Sequence, residues 1–170
     1  MKKIVFLLLL SFSLNVYGQK RDQPSTEFVV IGLVKKELKF DYSDFSKFDS
    51  REISDVEIKN HIGEMRGTAK QLKGILVKDL LTKMELQEEN PKLYSEFFLN
   101  FVASDGYKVV FSWNEIFNSP TGDNLYLITS RDGKELMEMT ERILILTPSD
   151  FKTGRRHIKG LSKIIVDRVN

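Results

Sequence analysis

The chain has 170 residues with 26 basic and 24 acidic side chains, and its formal net charge is +2. It contains no cysteine, which excludes a disulfide framework and any thiolate nucleophile, redox centre or metal ligand. Residues 1–18 carry Lys2 and Lys3 but no acid, so without them 24 basic residues face 24 acidic ones. The charge balance therefore gives no argument for a nucleic-acid partner or an anionic membrane.

The N-terminus has the features of a secretory signal peptide. Two lysines precede the apolar stretch 4–14, and small or modest residues lead to Gly18, after which we expect cleavage. This stretch is about a dozen residues long, whereas a membrane span needs about 20. We therefore expect an exported protein, periplasmic or secreted, with no membrane span after cleavage. A polar tether, 19–27, would precede a single domain over 28–170.

Hydrophobic patterning predicts a sheet-rich domain. Leu76, Leu80, Leu81 and Met84 mark one face of a helix over 77–86. Strands are predicted over 28–34, 38–42, 51–59, 125–129, 143–146 and 161–166, with an extended piece at 68–74, a helical turn at 43–48, a weak helix at 92–96 and a hairpin turn at Asp132-Gly133. Gly32 is expected at a bulge or close approach. The predicted fold class is α+β, a mixed sheet with few short helices.

A β-hairpin is predicted over 97–112. The pair Asp105-Gly106 interrupts two apolar runs and predicts a tight two-residue turn, because glycine, and to a lesser degree aspartate, tolerates a positive φ. Directly after it, Ser112 and Glu115 have the spacing of a capping box. A short helix over 113–117 should follow.

Few residues offer metal or nucleophilic chemistry. The two histidines, His61 and His157, stand far apart with no carboxylate at a ligand spacing, so a zinc-type site has little support. No G-x-S-x-G elbow, P-loop or dinucleotide-binding glycine motif occurs. Asp105 lies beside a turn glycine, and turn formation is its simpler role.

The dense basic cluster consists of Arg155, Arg156, His157 and Lys159. Arginine clamps phosphate through paired N–H donors, so this stretch could bind an anionic ligand. Alternatively, it is a solvated strand entry whose charge is balanced by Asp150 or by nearby glutamates. His61 and Arg66, in a glycine-bounded loop, could form another rim of a pocket or simply be exposed.

Four motifs occur in an order that resembles a known family. They are G-I-L-V-K-D-L-L at 74–81, D-G-Y at 105–107, the apolar run ending at Pro148, and G-R-R-H-I-K-G-L at 154–161. Together they resemble the molybdopterin-binding domain of the sulfite oxidase family over residues 28–168. The resemblance implies a sulfite-oxidase-type fold, a compact mixed α+β domain whose central pocket holds a pterin-linked molybdenum.

The resemblance also implies roles for individual residues. Arg155, Arg156 and Lys159 match the stretch through which the family contacts the cofactor's phosphate and pterin, and Asp105 and Tyr107 match a hairpin near that pocket. The family holds molybdenum through a cysteine thiolate, expected near 59–63, where this chain has Asn60 and His61.

From these features we expect a non-redox binding module for a small anionic or pterin-like ligand or a partner protein. Its pocket would be flanked by Arg155, Arg156, His157 and His61, and would open between the loop 59–67 and the stretch 149–160. No cofactor is expected, since molybdopterin is implied by the resemblance alone. One alternative is a molybdopterin-dependent oxidoreductase with a non-thiolate ligand such as His61. Another is a structural or interaction domain without a ligand.

Overall fold

The computed structural model describes residues 24–169. The predicted signal peptide lies outside the described residues, as does the predicted tether up to residue 23. The end of that tether is packed on the domain, since the buried Ser25 donates its hydroxyl to the carbonyl of Gly160 at 2.9 Å. Over 24–169 there is no helix of the length and apolarity that a membrane crossing requires.

The described residues form twelve strands and three short α-helices. The strands are β1 (Glu27–Gly32), β2 (Leu38–Asp41), β3 (Arg51–Ile53), β4 (Val56–Lys59), β5 (Met65–Ala69), β6 (Leu72–Leu76), β7 (Phe97–Ala103), β8 (Lys108–Ser112), β9 (Tyr126–Arg131), β10 (Lys134–Glu135), β11 (Leu144–Leu146) and β12 (Leu161–Arg168). The α-helices are α1 (Tyr42–Phe45), α2 (Val77–Leu80) and α3 (Trp113–Phe117). Short 3₁₀ helices lie at Leu81–Lys83, Pro91–Glu96, Gly122–Asn124, Leu136–Glu138 and Thr153–Arg156.

The strands are divided among three sheets. The first has the order β2-β1-β12-β7-β8. It is mixed, because β1 and β12 are parallel while every other pair of adjacent strands in this sheet is antiparallel. The second follows β10-β9-β6-β3, with β11 also paired to β9, and β4 and β5 form a separate ribbon. The predicted α+β class with few short helices is confirmed, although three sheets replace the single one expected.

One apolar core joins the two five-stranded sheets. Phe28, Phe101 and Phe111 from the first sheet and Ile75 and Leu127 from the second are all nearly inaccessible to solvent. Burying one such large side chain contributes about 1.5–3 kcal/mol. Because the chain has no cysteine, this core stabilises the fold without help from disulfides.

Gly32 lies at a close approach between β1 and β12, as predicted. Its φ is +99°, and a Cβ at this position would lie 2.2 Å from the carbonyl oxygen of Val166. Only glycine fits a positive φ with backbone at that distance.

The predicted helix over 77–86 is too long. The α-helix ends at Leu80, a 3₁₀ turn follows, and the chain is extended at Met84. From there the segment bonds to the chain after β1, since the amide of Lys35 donates to the carbonyl of Glu85 at 2.8 Å. Val34 and Leu86 form an antiparallel bridge there, and extended pairing requires backbone dihedrals that a helix does not have, so the helix ends early.

The predicted strand over 51–59 is two strands in different sheets. β3 pairs with β6, whereas β4 pairs with β5. The break falls at Ser54 and Asp55, where the Asp55 carboxylate accepts a hydrogen bond from the amide of Gln71 at 3.3 Å. The step of three from Ile53 to Val56 interrupts the two-residue alternation of a strand, and it marks this change.

The β7–β8 hairpin has a three-residue loop where two residues were predicted. The amide of Ala103 donates to the carbonyl of Tyr107 at 2.9 Å, and the carbonyl of Ala103 accepts the amide of Gly106 at 3.0 Å. Gly106 has a φ of +91°, which is the geometry of a turn followed by a bulge. Asp105 accepts the amide of Tyr107 through Oδ1 at 2.7 Å and thus supports the turn.

Two other local predictions are confirmed. Asp132 and Gly133 have φ values of 53° and 76° in a two-residue turn between β9 and β10. At the start of α3, the amide of Glu115 donates to the Ser112 hydroxyl at 3.1 Å, and the amide of Ser112 donates to the Glu115 carboxylate at 2.9 Å. The predicted capping box therefore starts a helix over the predicted residues.

Candidate functional site

The candidate residues come from three segments that meet at one end of the molecule. We call this region the three-loop end and define it as residues 60–66, 104–107 and 149–159. The hydroxyl of Tyr107 donates to the carbonyl of Arg155 at 2.5 Å. The ammonium of Lys152 donates to the carbonyl of His61 at 2.7 Å. These two bonds hold the hairpin loops on either side of the turn that carries the basic cluster.

The contact between this turn and β4 is closed. The buried Thr153 donates its hydroxyl to the carbonyl of Glu57 at 2.6 Å and accepts the amide of Lys59 at 2.9 Å. A Cβ on Gly154 would lie 2.6 Å from the carbonyl oxygen of Lys59. Where Thr153 and Gly154 meet β4, the expected opening between the two segments is therefore filled by direct packing.

A cleft of about 530 Å³ lies beside this contact, but its lining does not suit an anion. Its charged lining comprises four carboxylates and one lysine: Glu52, Asp55, Glu57, Asp150 and Lys59. All eight candidate residues lie outside it. Because like charges repel in such a concave space, an anionic ligand would find no complementary surface there.

Arg156 is held inside the protein by two carboxylates and an aromatic ring. Its Nε donates to Oδ2 of Asp150 at 2.7 Å, and its Nη1 donates to Glu115 at 2.9 Å. The guanidinium carbon lies 4.6 Å from the centre of the Phe111 ring. The hydrogen bonds that Arg156 donates to Asp150 are the main cause that raises the pKa of Arg156. Arg156 therefore agrees with the second interpretation of the basic cluster, in which Asp150 balances its positive charge.

Lys159 and His157 are also drawn into the fold. The Lys159 ammonium pairs with Glu141, which also accepts a bond from Arg131 at 2.8 Å. Burial by itself raises the pKa of Glu141, but Lys159 and Arg131 outweigh it and leave the pKa lowered. Burial lowers the pKa of His157 to about 4, with a further contribution from Lys159. The His157 ring is therefore neutral at pH 7, and among residues 24–169 its buried Nε2 has no hydrogen-bond partner.

The remaining basic candidates point to solvent. Arg155 is exposed, and within the described range its side chain forms no ion pair or hydrogen bond. The His61 ring is exposed as well, while Arg66 pairs with Glu64 at 3.1 Å on the surface. A surface ion pair contributes about 0–1 kcal/mol, so Arg66 can leave Glu64 for another anion at little cost.

The residues present do not fit a molybdopterin held in the family's manner. Arg156 and Lys159, which match the family's cofactor-contacting stretch, are paired with carboxylates. At the expected cysteine position, the side chain of Asn60 accepts the amides of Ile62 at 3.1 Å and Glu64 at 2.9 Å, and so it shapes the loop. The described part of the chain brings no three ligand-type side chains together for a metal.

The sequence reasoning missed three exposed apolar side chains at the three-loop end. Phe151 is 98% exposed, Ile62 is 62% exposed and Met65 is 56% exposed. A phenylalanine in an otherwise polar loop, between Asp150 and Lys152, was the available signal. The bond from Lys152 to His61 links the two loops that carry Phe151 and Ile62.

Comparison with known proteins gives a likeness of fold. The chain matches no protein-family model and no curated protein sequence. Among 23 matching chains of solved structures is the sulfane dehydrogenase SoxCD from Paracoccus pantotrophus, with 14% sequence identity and a TM-score of 0.59. The match covers 87% of this chain and 39% of the SoxCD chain, so this chain spans well under half of that one. The described residues thus share their mixed α+β fold with part of the SoxCD chain.

Proposed function

We propose that this chain is an exported, non-redox binding module with a sulfite-oxidase-like fold, and that it binds a small anion at the three-loop end. The observation that carries this proposal is Arg155, an exposed guanidinium with no partner among residues 24–169, placed on a turn that is fixed from both sides. The lack of cysteine and the carboxylate partners of Arg156 and Lys159 support a role without molybdenum redox chemistry.

The backbone of Arg155 is positioned before any ligand arrives. Its carbonyl accepts from Tyr107 at 2.5 Å, and its amide donates to the carbonyl of Lys152 at 2.9 Å. A fixed backbone reduces the entropy lost on binding, and the planar guanidinium presents two parallel donors to a phosphate or sulfonate. The Lys152 ammonium has three N–H donors, of which His61 takes one.

A partner protein is the second form of this proposal, and Phe151 favours it. Aromatic side chains, phenylalanine included, and arginine are enriched at protein–protein interfaces relative to the rest of the surface. Phe151 and Arg155 lie four residues apart in one loop, and Ile62 belongs to the adjoining loop. The matching partner surface would place a carboxylate or phosphate beside an apolar pocket. In a purely structural domain without a ligand, the exposed side chain of Phe151 would have no role.

Calorimetric titration with sulfate, phosphate, a sulfonate and a pterin phosphate tests the anion site. We expect Arg155→Ala to weaken binding about tenfold or more, because a charge-assisted hydrogen bond contributes about 1.5–3 kcal/mol. Arg51→Ala removes an exposed arginine from the second sheet and should leave binding unchanged. If wild-type protein binds none of these anions, or if both variants lose affinity equally, the anion site is wrong.

Protein isolated from its native host tests the two other claims of the proposal, namely export and the absence of redox chemistry. The N-terminus of the mature protein should be Gln19, and an intact N-terminus would contradict export by signal cleavage. Molybdenum together with pterin fluorescence in that preparation would favour the oxidoreductase alternative and overturn the non-redox role.

A further inference from the structure

A second concave site is lined by residues outside the three-loop end. It is a groove of about 650 Å³ between α2, the 3₁₀ turn that follows it and α3. Its floor is apolar and aromatic, formed by Leu81, Met84, Leu86, Tyr94, Trp113 and Phe117. This volume and lining are typical of small-molecule sites, and none of the candidate residues of the three-loop end takes part.

The aromatic rings of the floor are packed against each other yet still reach the groove. Trp113 and Phe117 are four residues apart on α3, so they share one helix face, and their ring centres are 5.2 Å apart. Tyr94 adds a third ring at 5.3 Å from Trp113. All three side chains are half-buried. The rings thus support one another while lining the groove.

The rim of the groove carries more negative than positive charge. Its charged residues are Lys35, Lys78, Asp79, Glu85, Glu88 and Glu89. Three of them have cationic or anionic partners elsewhere: Asp79 with Arg51, Glu88 with Arg168, and Lys78 with Asp123.

The excess negative charge rests on Glu85 and Glu89. Both share Lys35, at the long distances of 3.9 Å and 4.0 Å, and their side chains are 74% and 88% exposed. Exposed ion pairs of this length contribute little to stability. Because the single ammonium of Lys35 cannot neutralise both Glu85 and Glu89, one of these two carboxylates can pair with another cation. The rim is therefore complementary to a positive charge.

We propose that this groove binds a cationic amphiphile, namely an organic ammonium with an alkyl or aryl tail. The apolar floor would take the tail, and the faces of Trp113, Tyr94 and Phe117 attract a cation through their quadrupoles. Glu85 and Glu89 would neutralise the ammonium at the rim. An anion of the same size would meet the excess carboxylate instead. This site is separate from the proposed anion site, and either one can fail without the other.

The chain contains a single tryptophan, Trp113, so its fluorescence reports directly on the groove. We would titrate the mature protein with hexyltrimethylammonium, hexanesulfonate and hexanol, which share one tail and differ in charge. A saturable fluorescence change is expected with the ammonium, at a Kd about tenfold below that of hexanol, since a cation–π contact contributes about 0.5–2 kcal/mol. The sulfonate should bind more weakly than hexanol.

A charge-matched pair of double variants completes the test. Glu85→Gln with Glu89→Gln should raise the Kd for the ammonium about threefold to tenfold, since each exposed ion pair contributes up to about 1 kcal/mol, and should leave the Kd for hexanol unchanged. Glu52→Gln with Glu64→Gln removes the same charge from exposed positions outside the groove and should change neither. Equal affinity for the three probes, equal effects of the two variants, or no saturable binding of the ammonium by fluorescence and calorimetry would each overturn the site.

Discussion

Arg156 and Asp150 form a two-bond ion pair, in which Nε donates to Oδ2 at 2.7 Å and Nη2 donates to Oδ1. The two side chains are only 22% and 13% exposed. The second carboxylate that contacts Arg156 belongs to Glu115, which also caps α3. In the sequence, Arg156 belongs to a basic cluster that suggests ligand binding. In the structure, it instead joins the turn 149–157 to α3 and to the core.

Replacing Arg156 should cost stability, whereas replacing its neighbour should not. Arg156→Met leaves Asp150 and Glu115 without their cation, and we expect the free energy of unfolding to fall by about 2–4 kcal/mol. Arg155→Ala should change it by less than about 0.5 kcal/mol, because its side chain is exposed. Urea unfolding at pH 7 measures both values. Similar losses for the two variants would contradict the different environments assigned to the two arginines.

Local chemistry made some elements predictable, and long-range bonds made others unpredictable. The capping box of Ser112 and Glu115 and the turn at Asp132-Gly133 depend on neighbouring residues, and the sequence predicts both. The chain after α2 is extended because it pairs with the segment after β1, as in the bond from the amide of Lys35 to the carbonyl of Glu85, fifty residues away in the chain. No periodicity within 77–86 can reveal such a partner.

The same reason limits prediction of the site. The sequence places Arg155 and Arg156 side by side and cannot show which one is neutralised. Glu115 lies 41 residues from Arg156, and Tyr107 lies 48 residues from Arg155. Only the folded chain separates Arg156, which is partly buried and paired, from the exposed Arg155.

Thr153 should contribute to stability through its hydroxyl. That group bonds the carbonyl of Glu57 and the amide of Lys59, and Thr153→Val would leave both backbone groups without a partner. We expect a loss of about 2–3 kcal/mol, measured by urea unfolding. Thr153→Ser keeps the hydroxyl and should retain most of the stability that Thr153→Val loses. Thr140 is exposed, so Thr140→Val should have little effect. A serine variant as unstable as the valine variant would assign the effect to packing.

Gly32 and Gly63 form a matched pair for separating backbone strain from steric overlap. Their φ values are +99° and +93°, but a Cβ on Gly32 would lie 2.2 Å from the carbonyl oxygen of Val166, whereas a Cβ on Gly63 meets nothing within 4 Å. Gly63→Ala should cost about 1–2 kcal/mol from conformation alone. Gly32→Ala should cost at least about 3 kcal/mol, since backbone atoms must also move. Equal thermal or urea destabilisation would rule out the close approach.

The half-buried His157, whose Nε2 is shielded from solvent, should make stability depend on pH. Burial lowers its pKa to about 4 from the usual 6.5, so the unfolded chain binds a proton first as the pH falls. The contribution is fully present above about pH 6.5 and is lost between there and about pH 4, amounting to about 2 kcal/mol between pH 7 and pH 5. Urea unfolding across this range should show the loss in wild type and in His61→Gln, whose ring is exposed. His157→Gln removes the titrating group, so its pH slope should be shallower by about that amount, and an unchanged slope would show that His157 is not buried as a neutral ring.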